Sequence, residues 1–305
     1  MIEIVKDTKI KFMSQLKYTL VISAILAALG IFALVQIGLG NANLGVDFAG
    51  GTAVQIKFSQ AVNLHEVRLA LEGAGLKDFD LQDLPSENKI LVRVKKQDDT
   101  LGKASEVITG ILNQKFAEKK PVIDQTIEIG PKVGSRLRDD AIWAVTMAAA
   151  GILIYIAFRF QILFGIGATI ATFHDVLAVL GIFWLLDKEI NLILITALLT
   201  IAGYSLTDTV VVFDRVRENL KRYLKDLVHD TVNRSINEVL SRTIVTSLTV
   251  FLSSLALFLF GGEVLHDFAL AMLLGVVVGT YSSIFIASPI VILLSKDKNP
   301  LTQKK

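Results

Sequence analysis

Six stretches of this chain are too long and too apolar to be at home in water. The first, Tyr18–Leu39 (YTLVISAILAALGIFALVQIGL), has no charged residue; at ~1.5 Å per residue it crosses a hydrocarbon core of roughly 30 Å. Ala141–Phe158, Phe160–Leu186, Ile190–Phe213, Thr243–Gly262 and Phe268–Ser295 follow it. In lipid, every backbone polar group must be satisfied inside the structure, which restricts such stretches to helices. With 52% hydrophobic residues among 305, the chain reads as an α-helical integral membrane protein with six transmembrane helices. Its basic start (Lys6, Lys9, Lys11, Lys17) is like that of a signal peptide. The apolar run behind it, however, is too long for a signal peptide and lacks an A-x-A end, so a retained span is expected.

Between the first two spans, residues 40–140 have the composition of a soluble domain. Thr52–Phe58 alternates and is β-branched, as a strand does. Asn63 caps a helix through Ala74 that Gly75 stops, with Leu64, Val67 and Leu71 on one face. Phe79–Leu84 and Lys89–Val94 form a hairpin across the turn Pro85–Asn88. A second helix runs from a cap at Asp98 or Asp99 to Glu118, and Val122–Ile129 is the last strand. The order βαββαβ is that of a ferredoxin-like α+β domain. The domain contains no metal-ligand cluster, phosphate loop or nucleophile–base pair, so neither enzymatic activity nor a cofactor is expected. A net charge of +2 argues against a nucleic-acid partner, and the chain has no cysteine.

Basic residues in short loops set the orientation. Lys6, Lys9, Lys11 and Lys17, Arg159, the segment Asp214–Ser241 with Arg215, Arg217, Lys221, Arg222, Lys225 and Arg234, and the tail with Lys296, Lys298, Lys304 and Lys305 fall on one side. The other side's short loops have only Lys188. Both termini (1–17 and 296–305) and a helical connector 214–241 are therefore expected in the cytoplasm, with 40–140 extracytoplasmic. The lack of disulfides fits a bacterial inner membrane.

The costly residues are the ionisable ones inside the spans, which are functional candidates by default. Asp208 lies in the cytoplasmic half of the fourth span among Ser205, Thr207 and Thr209. His174 and Asp175 lie near the middle of the third. Arg242 opens the fifth and has two readings: a partner for Asp208, or an anchor that snorkels to the interface. A structural helix–helix hydrogen bond is the alternative reading for Asp208, and also for His174 and Asp175. Outside the membrane, Gly45–Thr52 (GVDFAGGT) reads as a tight turn that needs the freedom of Gly50 and Gly51. Gly130–Ala141 (GPKVGSRLRDDA) reads as the link back to the second span, shaped by Pro131 and Gly134.

In order and spacing, GVDFAGGT, GPKVGSRLRDDA, the HDV of the third span, SLTDTVVVFDRVREN in the fourth and SRTIVTSLTV in the fifth resemble the SecF family. The likeness runs from about residue 12 to 295. It implies the resistance-nodulation-division superfamily, a heterodimer with SecD, work beside the SecYEG translocon and YajC on a translocating preprotein, and use of the proton motive force. It also implies proton passage at Asp208 and Arg242, with His174 and Asp175 alongside; Thr207, Thr209 and neighbouring hydroxyls are expected to order water there. The family's motif in the first loop falls on Asp47, Phe48, Gly50 and Gly51, and that before the second span on Gly130, Pro131 and Gly134. Two rival readings are a proton-driven small-molecule exporter of the same superfamily and an intramembrane aspartyl protease using Asp175 and Asp208 as a dyad.

Overall fold

The computed structural model describes residues 8–76, 79–84, 88–94, 104–297 and 299. The chain divides into two compact units, residues 44–143 and the remainder.

In the smaller unit a short helix α2 (Val46–Ala49) precedes β1 (Gly51–Lys57), α3 (Leu64–Gly73), β2 (Phe79–Leu84), β3 (Lys89–Val94), α4 (Ala104–Lys115) and β4 (Val122–Ile129). The sheet is antiparallel in the order β2-β3-β1-β4, which gives the ferredoxin-like arrangement. Alternation decides the faces: Val54, Ile56, Ile90 and Val92 share a core with Val67, Leu71, Ile108 and Leu112 from the two helices. Asn63 accepts the His65 N–H at 2.8 Å as the cap of α3, and Gly75 has the positive φ of a helix stop. The expected caps at Asp98 or Asp99 lie outside the described residues.

The larger unit is a helical bundle. Its members are α1 (Leu16–Gly38), α5 (Pro131–Arg159), which starts in the smaller unit, α6 (Ile162–Leu185), α7 (Leu192–Arg222) and α8 (Val228–Phe260). The sixth span is compound: α9 (Gly262–Ser282), a π-helical turn Ser283–Ala287 and α10 (Ser288–Ser295). All six spans are long and apolar enough to cross a membrane. The third, fourth and sixth form the buried centre, while α1, α5 and α8 turn most of their apolar surface outward.

One sequence expectation needs correction and another needs refinement. Residues 131–141 are not a turn leading to the second span but the first turns of α5, which Pro131 opens at a position whose N–H has no intrahelical partner. The connector 214–241 is helical, as expected, but its helices are not set apart from the spans. α7 and α8 continue past their apolar parts and meet at residues 223–227, clasped by Asn219 Nδ2 donating to Ser235 Oγ (3.0 Å) and by Arg215 paired with Glu238 (2.6 Å).

The polar ends of the bundle sort into two groups. At one end Asn43 caps Asp187 O (3.0 Å) and accepts from Ile190 N (2.8 Å), and Lys188 meets Asp267 (2.8 Å). At the other, Arg159 pairs with Asp214, and Asn299 donates to Leu220 O (2.8 Å). There too, the Asn237 side chain accepts from Ile10 N (2.9 Å) while Asn233 and Asn237 both donate to Ile10 O (3.0 and 2.9 Å). Residues 10 and 299 thus lie at the same end. Replacing Asn233 and Asn237 together by Ala should release the segment around Ile10. Faster tryptic cleavage at Lys9 and Lys11, with helical circular dichroism unchanged, is the expected result; unchanged cleavage would show the clasp to be dispensable.

Candidate functional site

The site is built where the sixth span lies against the fourth. Glycine permits this approach: a Cβ on Gly275 would stand 2.4 Å from Ile201 Cγ1, and one on Gly279 would stand 3.2 Å from Ser205 Cβ. Four residues further along both helices, the next rung is polar, with Ser283 Oγ 3.0 Å from Thr209 Oγ1. Equal steps in the same direction on both chains mean that α7 and α9 run parallel, as small-residue packing of membrane helices allows.

Asp175 of α6 is completely buried. The hydroxyls of Ser205 and Ser282 both donate to its Oδ2, the latter at 2.6 Å, and His174 Nδ1 lies 3.1 Å from its Oδ1. Three helices are therefore tied together on one carboxyl group. Asp208 of α7 is also buried, beside the hydroxyls of Ser283 and Thr243. Its Oδ2 nevertheless makes no hydrogen bond, and neither does the buried His174 Nε2. A buried carboxylate oxygen without a donor forgoes solvation that water would supply. Such an atom is suited to exchange a proton, whereas Asp175, engaged on both oxygens, is suited to hold position. No hydrogen bond joins the two carboxyl groups to each other, as a shared-proton dyad would require.

The structure brings His174, Asp175, Asp208 and Thr209 into one buried cluster and leaves out two of the expected members. Thr207 points outward and spends its hydroxyl on Gly203 O (2.9 Å). Arg242 is exposed and makes no ion pair with Asp208; its neighbour Thr243 occupies the inward position. Ser205, Ser282, Ser283 and Thr243 are the contributors that sequence reasoning did not assign to the site. For Ser205 the signal was available, since it lies three residues before Asp208 and so shares its helix face.

In the smaller unit the two motifs that read as separate turns pack on each other. Phe48 is buried. A Cβ on Gly50 would stand 3.3 Å from Pro131 Cα, and one on Gly134 would stand 3.1 Å from Gly50 N and 3.5 Å from Asp47 O. Gly130 leads into this contact by accepting from the Gly134 N–H at 2.9 Å. Gly50 has φ 71° and ψ 163° and Gly51 has φ 128°, conformations that side chains resist. Gly50→Ala should cost about 1–3 kcal/mol, read as a lower thermal midpoint of the detergent-solubilised chain; an unchanged midpoint would mean that the turn relaxes freely.

Residues 110–297 match the family described as "Protein export membrane protein SecD/SecF, C-terminal", and residues 42–62, which contain the double glycine, match the "SecD/SecF GG Motif". A protein translocase subunit SecF from Thermodesulfovibrio yellowstonii is 60% identical over 299 residues, 97% of this chain and 98% of its own length. The chain belongs to the SecF family. A SecF of Vibrio alginolyticus is 38% identical, with 99% of this chain and 95% of that protein covered. Among solved structures, SecDF of Thermus thermophilus, described as a translocon-associated membrane protein, superposes with a TM-score of 0.84 at 37% identity. The match covers 95% of this SecF-family chain and 39% of that SecDF chain. A SecDF structure in the super-membrane-facing form gives 0.70 at the same 37% identity.

Proposed function

We propose that this chain is the SecF-type half of a SecDF complex that uses the proton motive force to promote late stages of protein translocation through the Sec channel. The observation that carries the reading is Asp208 Oδ2: a buried, hydrogen-bond-free carboxylate oxygen at the centre of the bundle. Asp208 binds and releases the proton. Asp175, fixed by Ser205, Ser282 and His174, is the anchor that registers the third, fourth and sixth spans around it. Arg242 acts from the outward face of α8, where a second subunit would lie.

A chain that spans 39% of the SecDF relative has room beside it for the remainder, and the outward apolar surfaces of α1, α5 and α8 are available to lipid and to such a partner. In this reading SecD completes the proton path, SecYEG and YajC are neighbours, and the ferredoxin-like domain faces the extracytoplasmic side of a bacterial inner membrane, with both termini in the cytoplasm. The domain's output is a shift between populations of two arrangements, repeated with each proton. Affinity purification of the tagged chain from native membranes tests the assembly: a SecD-like protein and the translocon should come with it. Recovery of the chain alone, in several mild detergents, would refute the assembly.

A further inference from the structure

Asp208 is ringed by hydroxyl groups, and they are not equivalent. Ser283 Oγ donates to Gly279 O (3.0 Å) and meets Thr209 Oγ1 (3.0 Å), so both of those hydroxyls are already engaged. Thr243 is buried with its hydroxyl within reach of the Asp208 carboxyl group, yet its Oγ1 completes no hydrogen bond of good geometry. That is unusual for this protein. Thr172, Thr196, Thr200, Thr207 and Thr246 all donate to the carbonyl four residues back, the ordinary refuge of a threonine hydroxyl in a helix. Thr243 forgoes that bond and stands beside the Asp208 carboxyl group, whose Oδ2 is likewise without a hydrogen bond.

We propose that Thr243 is the positioning residue for Asp208: its hydroxyl accepts from the carboxyl O–H while the proton is bound, then turns and donates to Oδ2 once the proton has left. A hydroxyl can serve both states because it is donor and acceptor at once, whereas a guanidinium only donates. The exchange needs one bond rotation and no movement of the helix, so the carboxyl group keeps its place through the cycle. The proton is bound and released by Asp208 along the path given in the proposed function, on which this inference rests.

The other titratable groups on the surrounding helices are placed so that none replaces Thr243. On α6, His174 Nδ1 lies on Asp175, and Asp175 is held further by Ser205 and Ser282. On α7, Tyr204 donates to Ser247 and Asp214 pairs with Arg159. On α8, Arg242 faces outward and Glu238 is held by Arg215 and Asn219. In the sixth span His266 and Asp267 lie at the far start of α9, Tyr281 donates to Thr19 O (2.6 Å), and the π-helical turn has no titratable side chain.

The test is a pH titration of the Asp208 carboxyl band by infrared difference spectroscopy on the membrane-reconstituted complex with its copurified partner, the band being assigned by its loss in Asp208→Asn. Thr243→Val, which keeps shape and removes the hydroxyl, should displace the midpoint by about one pH unit, a roughly tenfold change in proton binding. Thr243→Ser should restore it. A midpoint unmoved in both Thr243→Val and Thr243→Ala, or moved in Thr243→Val but not restored by Ser, overturns the inference while leaving Asp208 as the proton site. If no band titrates with Asp208, the inference and the reading beneath it fall together.

Discussion

Asp208→Asn will abolish the stimulation of preprotein movement by a proton gradient and leave the chain assembled with its partner. The amide has nearly the same shape as the carboxyl group and can still hydrogen-bond, so packing around α7 is kept, but it can neither take up nor lose a proton. Moving one elementary charge through the membrane potential supplies ~2.3 kcal/mol per 100 mV. That is enough to change a two-state ratio by more than tenfold, because about 1.4 kcal/mol corresponds to each factor of ten. It is far too little to unfold a substrate, so the gradient can act only by biasing the subunit between states. The measurement is late-stage translocation into inverted membrane vesicles with and without an ionophore. Stimulation that persists in Asp208→Asn would remove this residue from the mechanism.

Gly275→Leu should lose the same stimulation although Asp208 is intact. Its Cβ would fall 2.4 Å from Ile201 Cγ1. Ile201 is fully buried and β-branched, hence stiff at χ1, so the two helices would have to part. Separation on this rung carries to the next two, where Gly279 meets Ser205 and Ser283 meets Thr209. It would withdraw Ser282 from Asp175 and Ser283 from Asp208. Overpacking of this kind costs about 1–3 kcal/mol, visible as a lowered thermal midpoint alongside the lost stimulation. Gly275→Ala should show a milder form of the defect, and trimming the opposing residue with Ile201→Ala should recover much of it. That rescue follows from a steric rung and not from loss of glycine's flexibility. Full activity in Gly275→Leu would mean that the close approach of α7 and α9 is incidental.

Much of this architecture is legible from residue order because the signals are strong: a span needs only uncharged length, and β1 to β4 with α3 declare themselves by alternation, a cap and a terminating glycine. What stays hidden is direction around a helix axis. Thr207 adjoins Asp208 in sequence, but one residue turns an α-helix by about 100°, and that is enough to put Thr207 outside and Asp208 inside. The same step separates Arg242 from Thr243. Charge drew attention to Arg242, yet without knowing which face of α8 meets α7, nothing in the residues favours the threonine. Ser282 and Ser283 read as packing residues, which they are; that they also tie the sixth span to both acids depends on contacts between helices distant in sequence. The start of α5 was concealed by composition, since its first turns are polar and open with Gly130 and Pro131, residues that usually mark a loop.

The winding of the sixth span has a mechanical consequence. Ahead of the π-helical turn, Gly275 and Gly279 lie against Ile201 and Ser205 of α7, while Ala287 at its end and Val291 beyond it lie against Gly167 of α6. A single rod thus rides on two rails, one carrying Asp208 and the other Asp175. If the rails slide past each other, the rod must twist or stretch somewhere between its two bearings. Ser283–Ala287, already wound more loosely than its neighbours and closed by Ser288 Oγ on Ser283 O at 2.9 Å, is the coupling where that play would be taken up.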